Sequence, residues 1–382
     1  MFIVGLFFYS FTQIDLSLTL SEWSIWQVLE KYAQDIGYLK RPLSTALYIA
    51  IILLLYIFYF VFLTLAHKKK ITKKYVWFLI ITSTMILTFS YNAFSYDLFN
   101  YIFDAKIVTY YHQNPYVHKA LDFPNDPMLS FMHWTHRTYP YGPVWLILTV
   151  PLSLGINFFL PTFFLFKFLV SASFLGTVFF IGKILNRIRP QNEIFGVIFF
   201  ALNPLILIES VVSSHNDIAM MFFAMWSMYL LLNKKYIRSF IVLVFSIGIK
   251  FATLLLLPVS AYIYFIGKRN KRVDWNRIFY LNISLMLIAV IFATIRTNFQ
   301  PWYILYVMPF AAISSKKYYI FIPSIIISFF ALLQYVPFLY LGNWNEPIPS
   351  ILFWGTTSSI FLSVFLVVFW FFRLSLYKKR IK

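Results

Sequence analysis

Leu43 to Ala66 reads LSTALYIAIILLLYIFYFVFLTLA, without one charged side chain, and the next eight residues, His67 to Lys74, read HKKKITKK. An uncharged apolar run of this length is long enough for a helix to cross a bilayer. A lysine-rich cluster directly after it marks the cytoplasmic end of the crossing. Working outward, comparable apolar stretches recur at roughly 75–95, 160–182, 193–211, 217–233, 277–296, 303–315, 318–341 and 350–372. Two shorter ones lie between 237 and 266. The opening Met1 to Ile14 is apolar but has neither a basic leader nor a small-residue cleavage site, so it is read as a first membrane segment. Eleven or twelve transmembrane helices result.

The composition agrees. With 61% hydrophobic residues, 12% charged residues and a mean hydropathy of +0.75, an ordinary water-soluble protein is excluded. No polar run is long enough for a separate soluble domain, so residues 1–382 are expected to form one all-α polytopic integral-membrane domain. The absence of cysteine rules out disulfides, thiolate metal sites and a cysteine nucleophile. A net charge of +19 does not point to nucleic acid, because the cations sit in short clusters between apolar segments. These are His67 to Lys74, Lys183 to Arg189, Lys234 to Arg238, Lys268 to Arg277, Ser315 to Lys317 and Arg373 to Lys382. With all six placed in the cytoplasm, including the C-terminus, only Glu193, Asp274 and His67 among the acids and histidines stay inside. The acids then gather at the extracytoplasmic face, and an active site is expected there.

The largest extracytoplasmic loop is 96–159, and it opens with an acidic segment, Ser95-Tyr-Asp-Leu-Phe-Asn-Tyr-Ile-Phe-Asp-Ala-Lys106. At 100° per residue, Asp97, Asn100, Tyr101 and Asp104 share one arc of a helix, and Leu98, Phe99, Ile102 and Phe103 share the opposite arc. That pattern predicts an amphipathic helix lying in the membrane interface with its acids in water, and with Lys106 snorkelling to headgroups. A carboxylate beside apolar surroundings has a raised pKa suited to a general base toward an alcohol, and Asp97 is the first choice. Asp104 would position sugar hydroxyls or help hold a divalent cation. The loop's histidines, His112, His118, His133 and His136, lack compact ligand spacing, so zinc is not expected. The apolar stretch from Val144 to Phe159 reads as a second interfacial helix.

Three further constellations carry polar groups into apolar surroundings. The run Glu209-Ser-Val-Val-Ser-Ser-His-Asn-Asp217 joins two spans with more hydrogen-bonding variety than a simple turn needs. In it, His215 would donate to a phosphate and Asp217 would orient it. Lys250, in Gly248-Ile-Lys-Phe251, falls between two half-length helices whose meeting point must line a cavity. Its partner is Glu209, Asp217 or a substrate phosphate. Arg296 precedes Gln300-Pro-Trp302-Tyr303 and has a planar fork suited to phosphate, with Trp302 and Tyr303 also readable as interfacial anchors. No phosphate-binding glycine loop, dinucleotide fingerprint or serine-hydrolase elbow is present.

Asp97-Leu-Phe-Asn-Tyr-Ile-Phe-Asp104, Asn114-Pro-Tyr116, Tyr139-Pro-Tyr141-Gly-Pro143, Asn203-Pro204, His215-Asn216-Asp217, Ile249-Lys-Phe251 and Pro301-Trp-Tyr303 occur in the order seen in certain membrane mannosyltransferases. Over about residues 75–315 the chain resembles the GT-C glycosyltransferase superfamily. More narrowly, it is similar to the polyprenyl-phosphate-mannose-dependent group, and distantly to the catalytic subunit of GPI mannosyltransferase I. The resemblance implies a GT-C-like helix bundle and an inverting transfer of a hexose, mannose, from a polyprenyl-phosphate donor to a lipid or glycan acceptor hydroxyl. It places the catalytic acid at Asp97 with Asp104 as a second acid. Asn100, Tyr101, Tyr116, Tyr141, His215, Asn216, Asp217, Lys250, Arg296, Trp302 and Tyr303 follow as substrate-binding positions. Tyr96 and Leu98 flank Asp97 where eukaryotic relatives carry an acid pair, so catalysis without a required metal is expected, a divalent cation being the alternative. Besides donor and acceptor, the only partners expected are membrane lipids. Two other readings fit a polytopic chain: a transporter of lipid-linked saccharides, and a polymerase or ligase using a pyrophosphate-linked donor.

Overall fold

The computed structural model of the chain describes residues 2–155 and 158–380, so the expectations for Met1–Ile14, Val144–Phe159 and Arg373–Lys382 extend in part outside the described residues. Within those bounds the chain is all-α, with no strand. The helices are α1 (Phe2–Ser10), α2 (Ser24–Gln34), α3 (Arg41–His67), α4 (Lys73–Thr88), α5 (Asp97–Thr109) and α6 (Pro143–Thr149). Then come α7 (Phe159–Ile188), α8 (Glu193–Ala201), α9 (Pro204–Leu207), α10 (Asp217–Leu232), α11 (Tyr236–Ile249) and α12 (Leu257–Lys268). The last are α13 (Trp275–Thr297), α14 (Met308–Ile313), α15 (Tyr318–Leu333), α16 (Tyr335–Leu341) and α17 (Ile348–Arg380).

Six helical stretches among the described residues are long and apolar enough to cross a membrane: Arg41–His67, Phe159–Ile188, Phe251–Lys268, Trp275–Thr297, Tyr318–Leu341 and Ile348–Leu376. The pair Pro190–Ala201 and Pro204–Val212, bent by 58°, makes a seventh if taken as one span. The chain is a polytopic membrane protein. The larger number expected from the sequence counts shorter apolar helices as well, among them α10 and α11. At about 1.5 Å per residue, helices of this length fall short of a hydrocarbon core of about 30 Å.

The 30-residue α7 is the bundle's central post, packed against α4, α5, α8, α10 and α14. Between apolar helices the specific ties are polar. On α3, Tyr48, Tyr56 and Tyr59 recur at helical spacing and are buried. Their hydroxyls reach the Leu332 carbonyl (2.8 Å), Ser328 Oγ (2.9 Å) and the Phe199 carbonyl (2.7 Å), fixing α3 to α15 and α8.

Five of the six basic clusters meet at one end of the bundle. Lys73 pairs with Glu193 at 2.5 Å, Arg187 with Asn233, and Arg189 with Asn276 and, at 2.7 Å, with the Ile313 carbonyl. Lys316 lies 5.4 Å above the Phe195 ring. Asp97, His215 and Lys250 gather elsewhere, as described below. The five basic clusters therefore share one end of the bundle.

Two local expectations are corrected. α5 is not a surface helix with one face on lipid, because Leu98, Phe99, Tyr101, Ile102, Phe103, Ala105 and Ile107 are all buried, around all of the helix except the half-buried arc of Asp97, Asn100 and Asp104. Nor does Lys106 snorkel; it bonds Asp126 at 2.5 Å, inside the loop. The apolar arc was real, but its partners are α6, α7 and loop aromatics such as Phe131, which sequence periodicity does not identify. α6 likewise packs on α5 and α11, with Trp145 fully buried. The interfacial signature belongs to α2, where Ile25, Val28, Leu29 and Tyr32 form one exposed apolar stripe at helical spacing.

Candidate active site

α5 begins at Asp97, with the Ser95 hydroxyl accepting the Asp97 amide proton at 3.1 Å. The carboxylate therefore sits in the first turn, where the helix dipole favours negative charge. The second component comes from α9 and its continuation, the π-turn Ile208–Val212, which carries Glu209. Beyond it Ser214 adopts a left-handed backbone (φ 57°), a strained conformation for serine, and the chain doubles back so that the His215 amide bonds the Glu209 carbonyl at 3.1 Å. This reversal puts His215 between two carboxylates. Its Nδ1 lies 3.4 Å from Asp97 Oδ2 and its Nε2 lies 3.2 Å from Glu209 Oε2.

Neither contact has good hydrogen-bond angles, so the triad is held chiefly by charge. His215 and Glu209 are fully buried, whereas the Asp97 side chain keeps 16% of its surface open, so Asp97 alone of the three can meet a substrate. Burial alone would discharge His215, but the contacts and charges of Asp97 and Glu209 raise its pKa to about 9. Burial alone would raise Asp97, but His215 first, then Lys250 and Arg137, hold it below the usual carboxylate range. The expectation of a raised Asp97 pKa is thus reversed by a cation that lies far away in sequence. Asp104, two turns along α5, has no such cation. Burial and the Asp97 charge push it well above the carboxylate range.

Trp302, from the turn Pro301–Tyr306, stacks on the His215 ring with centroids 4.1 Å apart, and the Tyr335 hydroxyl donates to Glu209 Oε1 at 2.8 Å. The second ion pair joins Asp217, first residue of α10, to Lys250 at 2.7 Å. Of the partners open in the sequence, Asp217 is therefore the one observed. Lys250 stands at the break between α11 and the 3-10 turn Phe251–Leu256, ringed by Tyr141, Tyr303 and Tyr306 at 5.8–6.0 Å. Tyr101 is buried between Tyr141 and Trp145 and accepts from the Asn216 amide at 3.4 Å.

The Tyr139-Pro-Tyr-Gly-Pro143 segment is clamped onto this break. The Gly142 amide bonds the Ile249 carbonyl at 3.0 Å, and a Cβ on Gly142 would strike the Gly248 carbonyl, as one on Gly248 would strike Val144. Two glycines are needed for that approach, which sets Tyr141 over Lys250. Tyr116 marks the margin, bonding the Tyr141 carbonyl at 3.2 Å. Nearby is a cavity of about 700 Å³ lined by Lys119, Asp122, His136, Arg137, Thr138, Tyr139 and Arg296 among others. Its lining does not include Asp97, but Tyr139 and the Arg137 charge link the two.

Every site residue expected from the sequence is thus placed. Asp97, Asn100, Tyr101, Tyr141, His215, Asn216, Asp217, Lys250, Trp302 and Tyr303 form one cluster. Asp104, Tyr116 and Arg296 sit at its margins. Buried polar atoms without a hydrogen-bond partner concentrate here: Asn100 Oδ1, Trp145 Nε1, Glu209 Oε2, Ser210 and Ser213 Oγ, both polar atoms of the Asn216 side chain, and Asp217 Oδ2. So many orphaned polar groups in one place imply a polar occupant. Among the described residues no three metal-ligating side chains are grouped to hold a metal ion. Sequence reasoning missed Arg137, Lys119, Tyr306, Tyr335 and Lys167. Only Lys167 had a signal, a cation inside the apolar run Phe164-Leu-Phe-Lys-Phe-Leu-Val170.

The family model of the alpha-(1->6)-mannopyranosyltransferase N-terminal domain, the MptA_B family, matches residues 17–266. The chain belongs to that family. It is a membrane glycosyltransferase, a mannosyltransferase, and the matched region carries Asp97, Asp104, the His215 turn and Lys250. Arg296, Trp302 and Tyr303 follow it. No curated protein and no solved structure matches the chain.

Proposed function

We propose that this mannosyltransferase moves mannose from a polyprenyl-phosphate donor to a lipid or glycan acceptor hydroxyl, with inversion and with Asp97 as general base. The observation that carries the reading is the partly open, ionised Asp97 held in a buried triad with His215 and Glu209. An ionised carboxylate accepts the acceptor's hydroxyl proton as the new glycosidic bond forms and the bond to the donor phosphate breaks on the opposite face. With inversion, an alpha product requires a beta-linked donor. The alpha-(1->6) linkage of the family description makes the acceptor group a primary hydroxyl.

The charges of His215 and Lys250 already face Asp97, Glu209 and Asp217, so they tune the base more than they grip phosphate. Lys119, Arg137 and Arg296 line the adjacent cavity and make no ion pair among the described residues. They supply the positive charge that a departing lipid phosphate needs. Asn100, Asn216 and Trp145 offer unpartnered groups to the sugar, and Asp104 meets its hydroxyls as a neutral carboxyl. A metal has no required part in this reading, because an imidazolium already provides the cation between the two carboxylates. The catalytic loop faces the outside of the cell membrane, with the C-terminus in the cytoplasm.

The test is transfer by purified protein from polyprenyl monophosphate mannose, with polyprenyl pyrophosphate sugar and a nucleotide sugar as alternative donors. Transfer from the monophosphate alone, abolished by Asp97→Asn, is expected. Use of the pyrophosphate or nucleotide donor overturns the donor assignment, and turnover by the variant overturns the base.

A further inference from the structure

Lys167 is fully buried about two turns into α7, a helix long enough to span the membrane, and it takes no part in the chemistry described above. A lysine in such a position is costly, and a methionine would fill the same space without that cost. No carboxylate pairs with it among the described residues. Instead its ammonium donates to three acceptors: the carbonyls of Val211 (2.8 Å) and Val212 (2.9 Å), and Ser90 Oγ (3.3 Å). The first two lie at the C-terminal end of the helical stretch Pro204–Val212, where carbonyls lack helical partners and a cation satisfies both hydrogen bonds and the dipole; the Val211 carbonyl also accepts the Ser214 hydroxyl at 3.1 Å. His215 lies three residues beyond Val212. Ser90 begins the segment that leads to Asp97. One turn further along α7, Ser171 Oγ bonds Thr88 Oγ1 at 2.8 Å and holds the end of α4 on the same face.

We infer that Lys167 is a positioning residue for mannosyl transfer, a single ammonium pinning both chain segments that deliver the Asp97–His215 contact. One segment brings the base and the other brings its cation, and their separation is set from below by a group that the substrate cannot touch. This rests on the reading of Asp97 as general base. Without the pin the turn drifts, His215 withdraws, and Asp97 loses the charge that keeps it ionised.

The measurement is the pH profile of kcat for Lys167→Met, Lys167→Arg and the wild-type protein in the same detergent. Lys167→Met should lower kcat by about 10²-fold, the cost of misplacing a catalytic group by about 1 Å, with donor KM within about twofold. It should also move the acid limb of the profile to higher pH. Lys167→Arg, which keeps charge and donors, should restore the limb to its original place. A purely structural role would reduce the amount of active protein and leave the limb unmoved; that result, or normal kcat in folded Lys167→Met, overturns the proposal. If Lys167→Met does not accumulate, Ser90→Ala removes one acceptor only. It should cost about threefold in kcat with the same direction of shift, and an unmoved limb there overturns the proposal equally. Asp97→Asn, run alongside, separates the two failures: its retained activity sinks the general base, whereas its inactivity beside a normal Lys167→Met sinks the pin alone.

Discussion

Asp97 and Asp104 stand two turns apart on one helix, on one arc, yet their surroundings drive them in opposite directions. Asp97 has the helix N-terminus, His215 at 3.4 Å, and the fields of Lys250 and Arg137, and it is held ionised. Asp104 has burial and its neighbour's negative charge, and it is held neutral. Periodicity assigns both to the same face, but only residues brought in from the loop before α6, the turn before α10 and the break after α11 decide which is a base. Two carboxyls whose environments push them apart are a usual source of distinct catalytic roles.

The largest expected effect breaks the ionised side of this comparison. Asp97→Asn keeps shape and removes basicity, so kcat should fall by on the order of 10²- to 10⁴-fold with the donor still bound. Retention of donor binding, followed by its quenching of tryptophan fluorescence, separates this from misfolding. Turnover near wild-type would end the assignment of Asp97 as base.

Next in size is the cation. His215→Gln should lower kcat by about 10²-fold and move the acid limb of the profile upward, because Asp97 loses its main source of positive charge. It also leaves Glu209 as a buried unpaired anion, costing about 3–5 kcal/mol of stability. The double variant with Glu209→Gln should recover stability without recovering the limb. Recovery of both would mean that the triad serves folding only.

The same group sets a smaller, measurable dependence of stability on pH. The pKa of His215 rises from an ordinary value of 6.5 to about 9 on folding, so its contribution is fully present below about pH 6.5 and is lost as pH climbs through 9. Melting temperature in detergent should fall across that window for the wild type and stay flatter for His215→Gln. Parallel curves for the two would place the proton elsewhere.

How much of this was legible in the sequence follows from the range over which each feature is determined. The all-α membrane character depends on apolar runs of about 20 residues, and it was readable from Leu43–Ala66 outward, whereas the number of full-length spans was not, because short apolar helices such as α10 and α11 look the same in composition. Asp97, Lys250 and the Glu209–Asp217 turn were conspicuous because charge is costly in apolar surroundings. The sign of the Asp97 pKa was not readable, since it depends on a left-handed Ser214 that folds His215 back onto Glu209. The burial of α5 was misread for a related reason: amphipathicity shows that a face is apolar, not whether lipid or protein covers it. Lys167 met the same criterion as Lys250 and should have been found.

Outside the triad, the cavity cations offer a milder test. Arg137 is exposed, so Arg137→Gln should raise donor KM by about fivefold, corresponding to about 1 kcal/mol, with the effect shrinking at high salt. An effect on kcat alone, insensitive to salt, would place Arg137 in service of Asp97 and leave Arg296 and Lys119 to meet the phosphate.

Asp104→Asn should have the smallest effect, and it sharpens the comparison most. If Asp104 is already protonated at neutral pH, an amide reproduces its shape, its acceptor oxygen and a donor, and removes no charge. Turnover should then stay within about threefold of wild type, since an exchange between neutral groups of one shape costs little. The acid limb should not move, because the neutral carboxyl contributes no field at Asp97. A loss comparable to that of Asp97→Asn would show that Asp104 ionises once donor and acceptor are bound. In that case the cations lining the cavity would have to reach it in the complex, and the two acids of α5 would share the proton transfer.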